Sequence, residues 1–234
     1  MFVCQAKCRR FESDYPLQNP LETFMNTIDN EPLNTLWNLK VHRYPPWIYM
    51  SNVFDKSECE NIVSIMSRYP SKEASILQEI KDDNVVRHQF DNKVRKNRIS
   101  WVPAGPTETD WIFRKLTDAI IELNKQFYNF DLDYIESLQY TIYNQIGDHY
   151  IAHEDFRGMG AHYRKFSFSV QLSDPDTYEG CDLMIHKRGS EFAPTKREQG
   201  TMVAFPSYSL HQVTPLVKGT RISLVGWVCG QPFK

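Results

Sequence analysis

The chain has 234 residues, a length that predicts one large domain or one domain with an extension. Hydrophobic residues make up 41% and aromatic residues 13% of the sequence, which is enough to build a core and excludes disorder, collagen and coiled coil. A formal net charge of −2 excludes a nucleic-acid binder that relies on strong bulk basicity, while local basic patches stay open.

Neither a membrane span nor a disulfide framework is expected. No apolar run approaches the roughly 20 residues of a membrane helix, and Met1–Arg10 has no apolar run typical of a signal peptide. The cysteines are odd in number and lack framework spacing, which predicts a reduced, cytoplasmic chain; they are Cys4, Cys8, Cys59, Cys181 and Cys229. Cys4 and Cys8 have the chemistry of two zinc ligands, but no second pair follows them.

The first part of the chain predicts an extension and then the start of a domain. Residues 1–45 are weakly patterned and rich in proline, so we expect an N-terminal extension before a domain at 46–234. Trp47–Phe54 predicts a strand. Ser57 and Glu60 form a capping-box pair, which predicts the start of a short helix behind them.

A charged stretch and a second helix come next. Residues 71–98 are polar, and for the basic run at 87–98 we favour a solvated loop over a substrate-facing lid. Ile99–Val102 predicts a short strand. Thr107 and Asp110 resemble a second capping box, and the apolar residues behind them have the spacing of an amphipathic helix: Ile112, Leu116, Ala119, Ile120, Leu123 and Phe127.

From about residue 133 the pattern changes to short β-like runs separated by turn residues. The predicted strands are Ile135–Tyr143, His149–His153, Phe166–Leu172, Asp182–His186, Thr201–Phe205, His211–Pro215 and Ile222–Val228. Many short strands with turns between them predict a sandwich or a double-sheet jelly roll. We therefore expect a β core at about 133–230, supported by an N-terminal layer of helices.

Two histidines and one aspartate are the candidate metal ligands. His153 and Asp155 lie two residues apart, so a strand would present both side chains on the same side. His211 is the best-placed second imidazole, because it opens a later β-like run. A tripeptide of this kind is weak evidence alone, but two histidines and one carboxylate form the ligand set of non-haem Fe(II) oxygenases.

An arginine and a serine add a candidate site for an anionic cosubstrate. Two imidazoles and one carboxylate leave open positions on Fe(II), which a bidentate 2-oxo acid and O2 can occupy. Arg221 follows His211 after a short interval and shares a strand face with Ser223. A guanidinium can bind a carboxylate through two hydrogen bonds, and the hydroxyl can add a third.

The C-terminal half resembles the Fe(II)/2-oxoglutarate-dependent dioxygenases of the prolyl 4-hydroxylase type, and among these the PKHD-type hydroxylases. The resemblance covers about 135–230 and rests on these residues: Tyr143, Gly147, Tyr150, His153, Asp155, Leu172–Gly180, Phe205–Pro215 and Arg221. It implies an α+β fold with a double-stranded β-helix (jelly-roll) core. It also implies Fe(II), with 2-oxoglutarate and O2 as cosubstrates and ascorbate as a further candidate.

The resemblance also implies roles for individual residues. Tyr143 matches a tyrosine that hydrogen-bonds the cosubstrate, and Gln171 falls near a position that helps to hold the distal carboxylate of 2-oxoglutarate. Substrate-side roles fall to Arg164, Trp227 and Tyr150. The chain departs from the PKHD pattern at one place, because its Gly180-Cys181-Asp182-Leu183 replaces Gly-Gly-Glu-Leu.

The resemblance makes a hydroxylase of peptidyl proline the leading function. A hydroxylase of a free amino acid or another small molecule is the main alternative. A nucleic-acid substrate is less favoured, because the net charge is −2 and basic residues do not alternate with aromatic ones. A non-catalytic jelly-roll binding module and a zinc or cupin-like hydrolase or isomerase are the rivals from other classes. The sequence does not determine the oligomeric state.

Overall fold

The computed structural model describes residues 11–12, 45–80, 85–105, 107–156, 163–187 and 191–231. Of 11–12, 77–80 and 85–88 it describes only the backbone. The predicted zinc ligands Cys4 and Cys8 lie outside the described residues, as does nearly all of the predicted extension at 1–45. No helix in the described part of the chain combines the length and the apolar character needed to cross a membrane.

The first helix, α1, spans Lys56–Met66 and begins two residues earlier than the predicted capping box. Its N-cap is Asp55, whose side chain accepts from the backbone N–H of Glu58, while the Glu58 side chain accepts from the N–H of Asp55. The prediction that Ser57 and Glu60 form the capping box was wrong. Asp55 and Glu58 form it instead, so the helix begins one half-turn earlier.

The second helix, α2, spans Asp110–Leu123 and continues as a π-helical turn at Asn124–Tyr128. The amphipathic prediction is confirmed, because the buried face of α2 contains Ile112, Leu116, Ala119, Ile120 and Leu123. The capping box predicted from Thr107 was wrong. Thr109 is the N-cap, and its hydroxyl donates instead to the carbonyl of Pro103, 2.5 Å away.

Eighteen strands follow one another along the described residues. They are β1 Phe11–Glu12, β2 Ile48–Met50, β3 Lys72–Glu73, β4 Ile76–Ile80, β5 Val85–Gln89, β6 Arg95–Lys96, β7 Arg98–Trp101, β8 Tyr134–Ile135, β9 Gln139–Tyr143, β10 His149–His153, β11 Arg164–Gln171, β12 Tyr178–Gly180, β13 Leu183–His186, β14 Phe192–Pro194, β15 Met202–Pro206, β16 His211–Val213, β17 Leu216–Gly219 and β18 Arg221–Cys229. A short 3-10 turn occupies Pro175–Thr177.

Two antiparallel sheets form the core. The larger has the order β1-β2-β15-β11-β18-β9-β7-β3, with β8 also paired to β18, and the smaller has the order β14-β13-β16-β10-β6. Two further pairs, β12-β17 and β4-β5, complete the described strands. The arrangement is a double-stranded β-helix with helices on one side, which confirms the predicted α+β fold class.

Alternation along the strands divides the core into two layers. Phe166, Phe168 and Val170 on β11 pack with the buried faces of α1 and α2. The intervening residues of β11 point to the space between the sheets, where Tyr49 and Val203 of the large sheet pack with Leu183, Ile185 and Val213 of the small one. The large sheet is therefore covered by helices outside and presents its other face to the interior.

The sheets reach beyond the expected β core at about 133–230. Strands β2 and β7 belong to the large sheet and β6 to the small one, although all three precede residue 133. The solvated loop favoured for 87–98 was wrong, because this segment contains the end of β5, all of β6 and the first residue of β7. Strand β6 consists of two charged residues held by backbone pairing with β10, which leaves no hydrophobic signal in the sequence.

Candidate active site

The candidate metal ligands meet where β10 and β16 pair. His153 at the end of β10 lies directly opposite His211 at the start of β16. Asp155 stands just past the end of β10, and its backbone N–H donates to the carbonyl of Ser207 at 3.0 Å. One potential ligand atom from each of the three side chains lies within 4.8 Å of the other two. The predicted cluster therefore forms, although Asp155 is held by a turn and not by the strand.

Both histidines present the same ring nitrogen to this point. Nδ1 of His153 lies 2.8 Å from the carbonyl oxygen of Ile151, and Nδ1 of His211 lies 2.9 Å from that of Ser209. A carbonyl only accepts, so each Nδ1 carries the proton and each Nε2 offers a lone pair. Such backbone contacts orient metal-binding histidines.

The carboxylate of Asp155 is held by a hydroxyl pair. Ser167 on β11 donates to Oδ2 of Asp155 at 2.6 Å, and the hydroxyl oxygens of Ser167 and Ser207 are 3.1 Å apart. Because the Ser167 proton goes to the carboxylate, Ser207 must donate to Ser167. Nε2 of His211 lies 3.5 Å from Oδ2 of Asp155, and Nε2 of His153 lies 3.8 Å from Oδ1. These separations are too long for hydrogen bonds and suit two ligands of one ion.

The protonation states of the cluster suit a divalent cation. Burial, followed by the nearby His211, lowers the pKa of His153 to about 3, so its imidazole is neutral near pH 7. Burial acts to raise the pKa of Asp155, but His211, His153 and the Ser167 hydrogen bond outweigh it and lower that pKa. Two neutral imidazoles and one carboxylate are the states that metal binding requires.

Arg221 is buried at the bottom of the same interior, with 2% of its surface exposed. Its Nε donates to Oε1 of Gln171 at 3.1 Å, and its guanidinium carbon lies 5.4 Å from the ring centre of Tyr143, its direct partner on β9. Cys181 also contacts the guanidinium. Among the described side chains no carboxylate forms an ion pair with Arg221. A buried guanidinium with only neutral neighbours is suited to an anionic ligand.

Ser223 supplies a second unsatisfied group at this end of the interior. Its hydroxyl is buried and has no hydrogen-bond partner in the described structure. It lies two residues after Arg221 on the same face of β18, as predicted. A buried polar group without a partner is costly unless a ligand satisfies it. The carboxylate of a bound 2-oxo acid fits both groups.

Comparisons with known proteins agree with this geometry. A family model described as the 2OG-Fe(II) oxygenase superfamily matches residues 138–229. Over these residues, which are less than half of the chain, the sequence is similar to that superfamily. A PKHD-type hydroxylase of Synechococcus sp. (strain CC9605) is 43% identical over 65 residues, which are 28% of this chain and 29% of that protein. A PKHD-type hydroxylase of Gloeothece citriformis is 38% identical over 96 residues, or 40% of this chain and 43% of that protein.

Solved structures extend the likeness in fold over most of the chain. A Pseudomonas putida prolyl-4-hydroxylase has a TM-score of 0.60 at 16% identity and matches 80% of this chain and 93% of that one. A Trichoplax adhaerens prolyl hydroxylase in complex with a hypoxia inducible factor peptide fragment has a TM-score of 0.59 at 15% identity. The match covers 79% of this chain and 84% of that one. At these identities the likeness concerns the fold. The alignments with the curated relatives span less than half of those proteins' length, 29% and 43% in the two cases given.

A cavity of about 460 Å³ connects the metal-ligand cluster to the Arg221 end of the candidate site. It is lined by the three candidate metal ligands and by Arg221 and Ser223. Gln171 is not part of this lining, but it contacts Arg221 directly. Tyr143 is fully buried, and this burial raises the pKa of its hydroxyl. The hydroxyl therefore stays protonated and can donate a hydrogen bond to a ligand in the cavity.

The residues expected on the substrate side also line the cavity, but two of them are already engaged. Tyr150 stacks on the ring of His153, with 3.6 Å between ring centres. Arg164 forms a bidentate ion pair with Glu136 and lies 4.1 Å above the ring of Trp227. The indole N–H of Trp227 is buried and helps to lower the pKa of the Asp155 carboxyl. Arg164 therefore packs against Trp227 beside the metal ligands, and Glu136 neutralises its charge.

Sequence reasoning missed four residues of the site. Ser167 and Ser207 hold Asp155, while Arg95 and Gln139 form part of the cavity wall. The polar residues of β11 alternate with its buried Phe and Val residues, and this period-two pattern was the available signal for Ser167. Arg95 gave no such signal, since its strand has only two residues.

The cysteine that replaces a glycine of the PKHD pattern adopts an unusual backbone conformation. Cys181 has φ 58°, in the left-handed region that favours glycine, and its side chain is fully buried beside Arg221. Burial is the main reason that its pKa rises to about 11, so the thiol stays protonated and neutral. The substitution therefore fills the space behind Arg221 without adding a charge.

Proposed function

We propose that this protein is an Fe(II)- and 2-oxoglutarate-dependent hydroxylase that inserts one oxygen atom of O2 into a substrate C–H bond. The observation that carries the proposal is the pairing of two features in one cavity. The His153, Asp155 and His211 cluster suits Fe(II). Arg221, which is buried without a carboxylate partner among the described residues, suits the anionic cosubstrate. A metal hydrolase would have no use for the second feature.

The three ligand residues would hold the metal by one face. When bound, Fe(II) supplies the activation of O2 that couples oxidation of 2-oxoglutarate to oxidation of the substrate. His153 and His211 donate the lone pairs of Nε2, and their Nδ1–H groups stay on backbone carbonyls. Asp155 contributes the negative charge, and Ser167 fixes the direction of its carboxylate. His153 is already neutral and Asp155 already ionised near pH 7, which are the states that this binding requires.

The basic end of the cavity would bind and orient 2-oxoglutarate. Arg221 pairs with the carboxylate distant from the metal, and Gln171 holds the guanidinium in place through Nε. Ser223 and Tyr143 donate hydrogen bonds from hydroxyls that are buried in the same region. Because the surroundings exclude water, each of these contacts is stronger than it would be at the surface.

Peptidyl proline is the substrate class we propose first. Support comes from the PKHD-type relatives and from solved prolyl hydroxylases, one of which is in complex with a peptide fragment. Tyr150, Trp227 and Arg164 would then line the substrate side of the cavity. The cavity is also large enough for a free amino acid or similar small molecule, at about 460 Å³. Hydroxylation of such a molecule is the alternative that the experiment below distinguishes.

The decisive experiment measures succinate formation and substrate oxidation together. Purified protein with Fe(II), 2-oxoglutarate and O2 is offered proline-containing peptides and free amino acids, and mass spectrometry detects the gain of one oxygen atom. The double variant His153→Ala with Asp155→Ala should form no succinate. Succinate that persists in this variant contradicts the proposal. Tight zinc binding without 2-oxoglutarate binding favours a zinc enzyme, and a protein that binds neither metal nor 2-oxoglutarate favours a binding module.

Two further parts of the proposal concern organisation and cofactors. We assign the catalytic domain to 46–234, with β2 at Ile48–Met50 as its first strand, and Phe11–Glu12 of the extension adds a two-residue strand to the edge of the same sheet. Fe(II), 2-oxoglutarate and O2 suffice for the proposed chemistry, and ascorbate is expected only to maintain the reduced metal. The cytoplasmic localisation expected from the cysteine content stays a prediction.

A further inference from the structure

Three arginines line the cavity, and they differ in what neutralises them. Arg164 has a carboxylate partner in Glu136. Arg221 is assigned above to 2-oxoglutarate. The guanidinium of Arg95 has hydrogen-bond partners that are all neutral within the described side chains, and nothing in the proposed mechanism uses its charge. Arg95 is therefore the feature of this cavity that has no function so far.

Neutral amide oxygens hold Arg95 in a defined direction. Its Nε donates to Oδ1 of Asn97 at 3.1 Å, and its Nη2 donates to Oε1 of Gln139 at 2.7 Å. Asn97 and Gln139 are both 4% exposed, so these acceptors belong to the interior and do not move freely. The backbone of Arg95 is fixed as well, because β6 pairs it with Tyr150 on β10. The charge is thus positioned without being neutralised.

Arg95 is separated from the metal site by a single aromatic ring. Its guanidinium carbon lies 4.7 Å from the ring centre of Tyr150, and that ring stacks on His153 with 3.6 Å between centres. A molecule that contacts the guanidinium from the cavity consequently extends towards the metal ligands. The position suits recognition of the part of a substrate adjacent to the atom that reacts.

The rest of the cavity rim has the character expected around a bound anion. Lys72 is exposed on the wall and adds a second positive charge, and Trp101 is an exposed aromatic residue with 45% of its surface accessible. The acidic residues of the wall are Glu154 and the metal ligand Asp155, and neither forms an ion pair with Arg95. A half-buried cation with no anionic partner gains the most from a charged ligand.

We propose that Arg95 binds a carboxylate of the substrate, with Lys72 assisting at the rim. The substrate would then carry a carboxylate a few bonds from the C–H group that is oxidised. This inference rests on the proposed hydroxylase function and narrows its substrate class. Two sources share the required chemistry, namely the α-carboxylate of a free amino acid and an acidic side chain next to the target residue of a peptide.

The test compares acids with their uncharged amides. L-proline and L-prolinamide represent the free amino acid, while acetyl-Pro-Glu-amide and acetyl-Pro-Gln-amide represent the peptide. Binding is measured by calorimetry without O2, on protein loaded with Fe(II) and 2-oxoglutarate, and turnover is measured separately as succinate formed. We expect at least one acid to bind about tenfold or more tightly than its amide, as a charge-assisted hydrogen bond provides. The pair that shows the preference identifies the source of the carboxylate.

Variants of Arg95 then assign the preference to this residue. In Arg95→Gln the ratio of acid to amide affinity should fall to about one, and in Arg95→Lys part of the preference should return because the charge is kept. Lys93→Gln is the matched control, since it removes one exposed positive charge from the same segment and should keep the wild-type ratio. Equal affinities for acid and amide in the wild-type protein overturn the inference, as does a preference that survives in Arg95→Gln.

The binding measurements distinguish a failure of this inference from a failure of the proposed function. If the wild-type protein binds Fe(II) and 2-oxoglutarate but shows no preference for, or no binding of, either acid, the carboxylate site is wrong and the hydroxylase proposal stands. If the protein binds neither Fe(II) nor 2-oxoglutarate, the proposed function itself fails. Where Arg95→Gln does not fold, equal affinities for acid and amide in the wild-type protein still overturn the inference, and a reduced preference in Arg95→Lys assigns the carboxylate to this residue.

Discussion

Ser167 donates a hydrogen bond to Oδ2 of Asp155, with 2.6 Å between the two oxygen atoms. The bond joins the long β11 of the large sheet to the residue that follows β10 of the small sheet. It therefore connects the rigid part of the fold to the one candidate ligand that stands outside a strand. Ser207 supports the bond from behind by donating to Ser167 at 3.1 Å.

We predict that Ser167→Ala weakens metal binding by about tenfold to a hundredfold, the range typical of residues that orient a metal ligand. Without the hydroxyl, the carboxylate of Asp155 can rotate and loses a hydrogen bond to its charged form. Titration of the metal-free protein with Fe(II) in the absence of O2 measures the effect. Ser169→Ala is the matched control on the same face of β11 and should bind the metal normally. Equal metal affinity in the two variants contradicts the prediction.

Replacement of Arg221 should separate cosubstrate binding from metal binding. Arg221→Gln removes the buried charge that has no carboxylate partner among the described residues, so the dissociation constant for 2-oxoglutarate should rise on the order of a hundredfold. Arg221→Lys should give a smaller rise, because it keeps the charge but loses the fork of N–H donors. Calorimetric titration with 2-oxoglutarate under anaerobic conditions measures both.

Metal affinity provides the internal control for this second prediction. The guanidinium of Arg221 contacts Gln171 and Tyr143, and none of the three candidate metal ligands is among its contacts. Fe(II) should therefore bind Arg221→Gln as it binds the wild-type protein. Arg114→Gln, which changes an exposed arginine on α2, should leave both affinities unchanged. Wild-type binding of 2-oxoglutarate by Arg221→Gln would remove Arg221 from the cosubstrate site.

The N-cap of α1 predicts a defined dependence of stability on pH. The backbone N–H of Glu58, together with the hydroxyl of Ser57, lowers the pKa of Asp55 below its usual 3.8. A lowered pKa means that the ionised carboxylate stabilises the folded state above pH 3.8 and that this contribution is lost as pH falls through the folded-state pKa. Asp55→Ala should lower the melting temperature at pH 7, and the difference from wild type should shrink in acid.

A second variant isolates the charge from the hydrogen bond in this experiment. Asp55→Asn keeps a side-chain oxygen that caps the helix but has no carboxyl to titrate. Its melting temperature should therefore lie close to that of the wild-type protein in acid and below it at neutral pH. Thermal unfolding followed by circular dichroism between about pH 2 and pH 7 measures these curves, because the contribution is lost below the unfolded-state pKa. A constant difference across this range shows that Asp55 does not act through its charge.

The sequence predicts those parts of the fold in which polar and apolar residues recur at the spacing of a strand or of a helix. The strand His149–His153 is predicted with its observed bounds, and the buried face of α2 follows from apolar spacing. Strands β3 and β6 were missed because each has only two residues and none of their side chains is fully buried. They exist through backbone pairing with strands that are distant in the sequence, as Lys72 pairs with Ile99. A local pattern does not contain such information.

The same distinction explains which residues of the candidate site the sequence predicts. His153, Asp155, His211 and Arg221 are recognisable because residue type and spacing together define them. Ser167 becomes part of the site only when β11 lies beside the turn that holds Asp155, which is a consequence of the three-dimensional fold. Arg95 enters the cavity wall through a strand of two residues, and its role depends on the absence of a carboxylate partner among the described side chains.

The turn before β15 should be a sensitive position of the backbone. Gly200 has φ +78°, and a Cβ added there would lie 1.9 Å from the carbonyl oxygen of Phe54. That carbonyl belongs to the backbone that links β2 to α1, and the adjacent N–H of Phe54 and that of Val53 donate to the carbonyl of Gly200. Neither segment can move without breaking this contact. Gly200→Ala should therefore destabilise the fold by about 3 kcal/mol or more.

Gly147 provides the control for Gly200→Ala, because it has a similar φ of +82° but open space where a Cβ would stand. Gly147→Ala should cost only the left-handed conformation, about 1–2 kcal/mol. Urea unfolding of both variants separates steric overlap from backbone strain. Equal losses of unfolding free energy would show that φ alone sets the requirement for glycine. A larger loss for Gly200→Ala would show that the close approach of the two backbone segments adds a steric requirement for glycine.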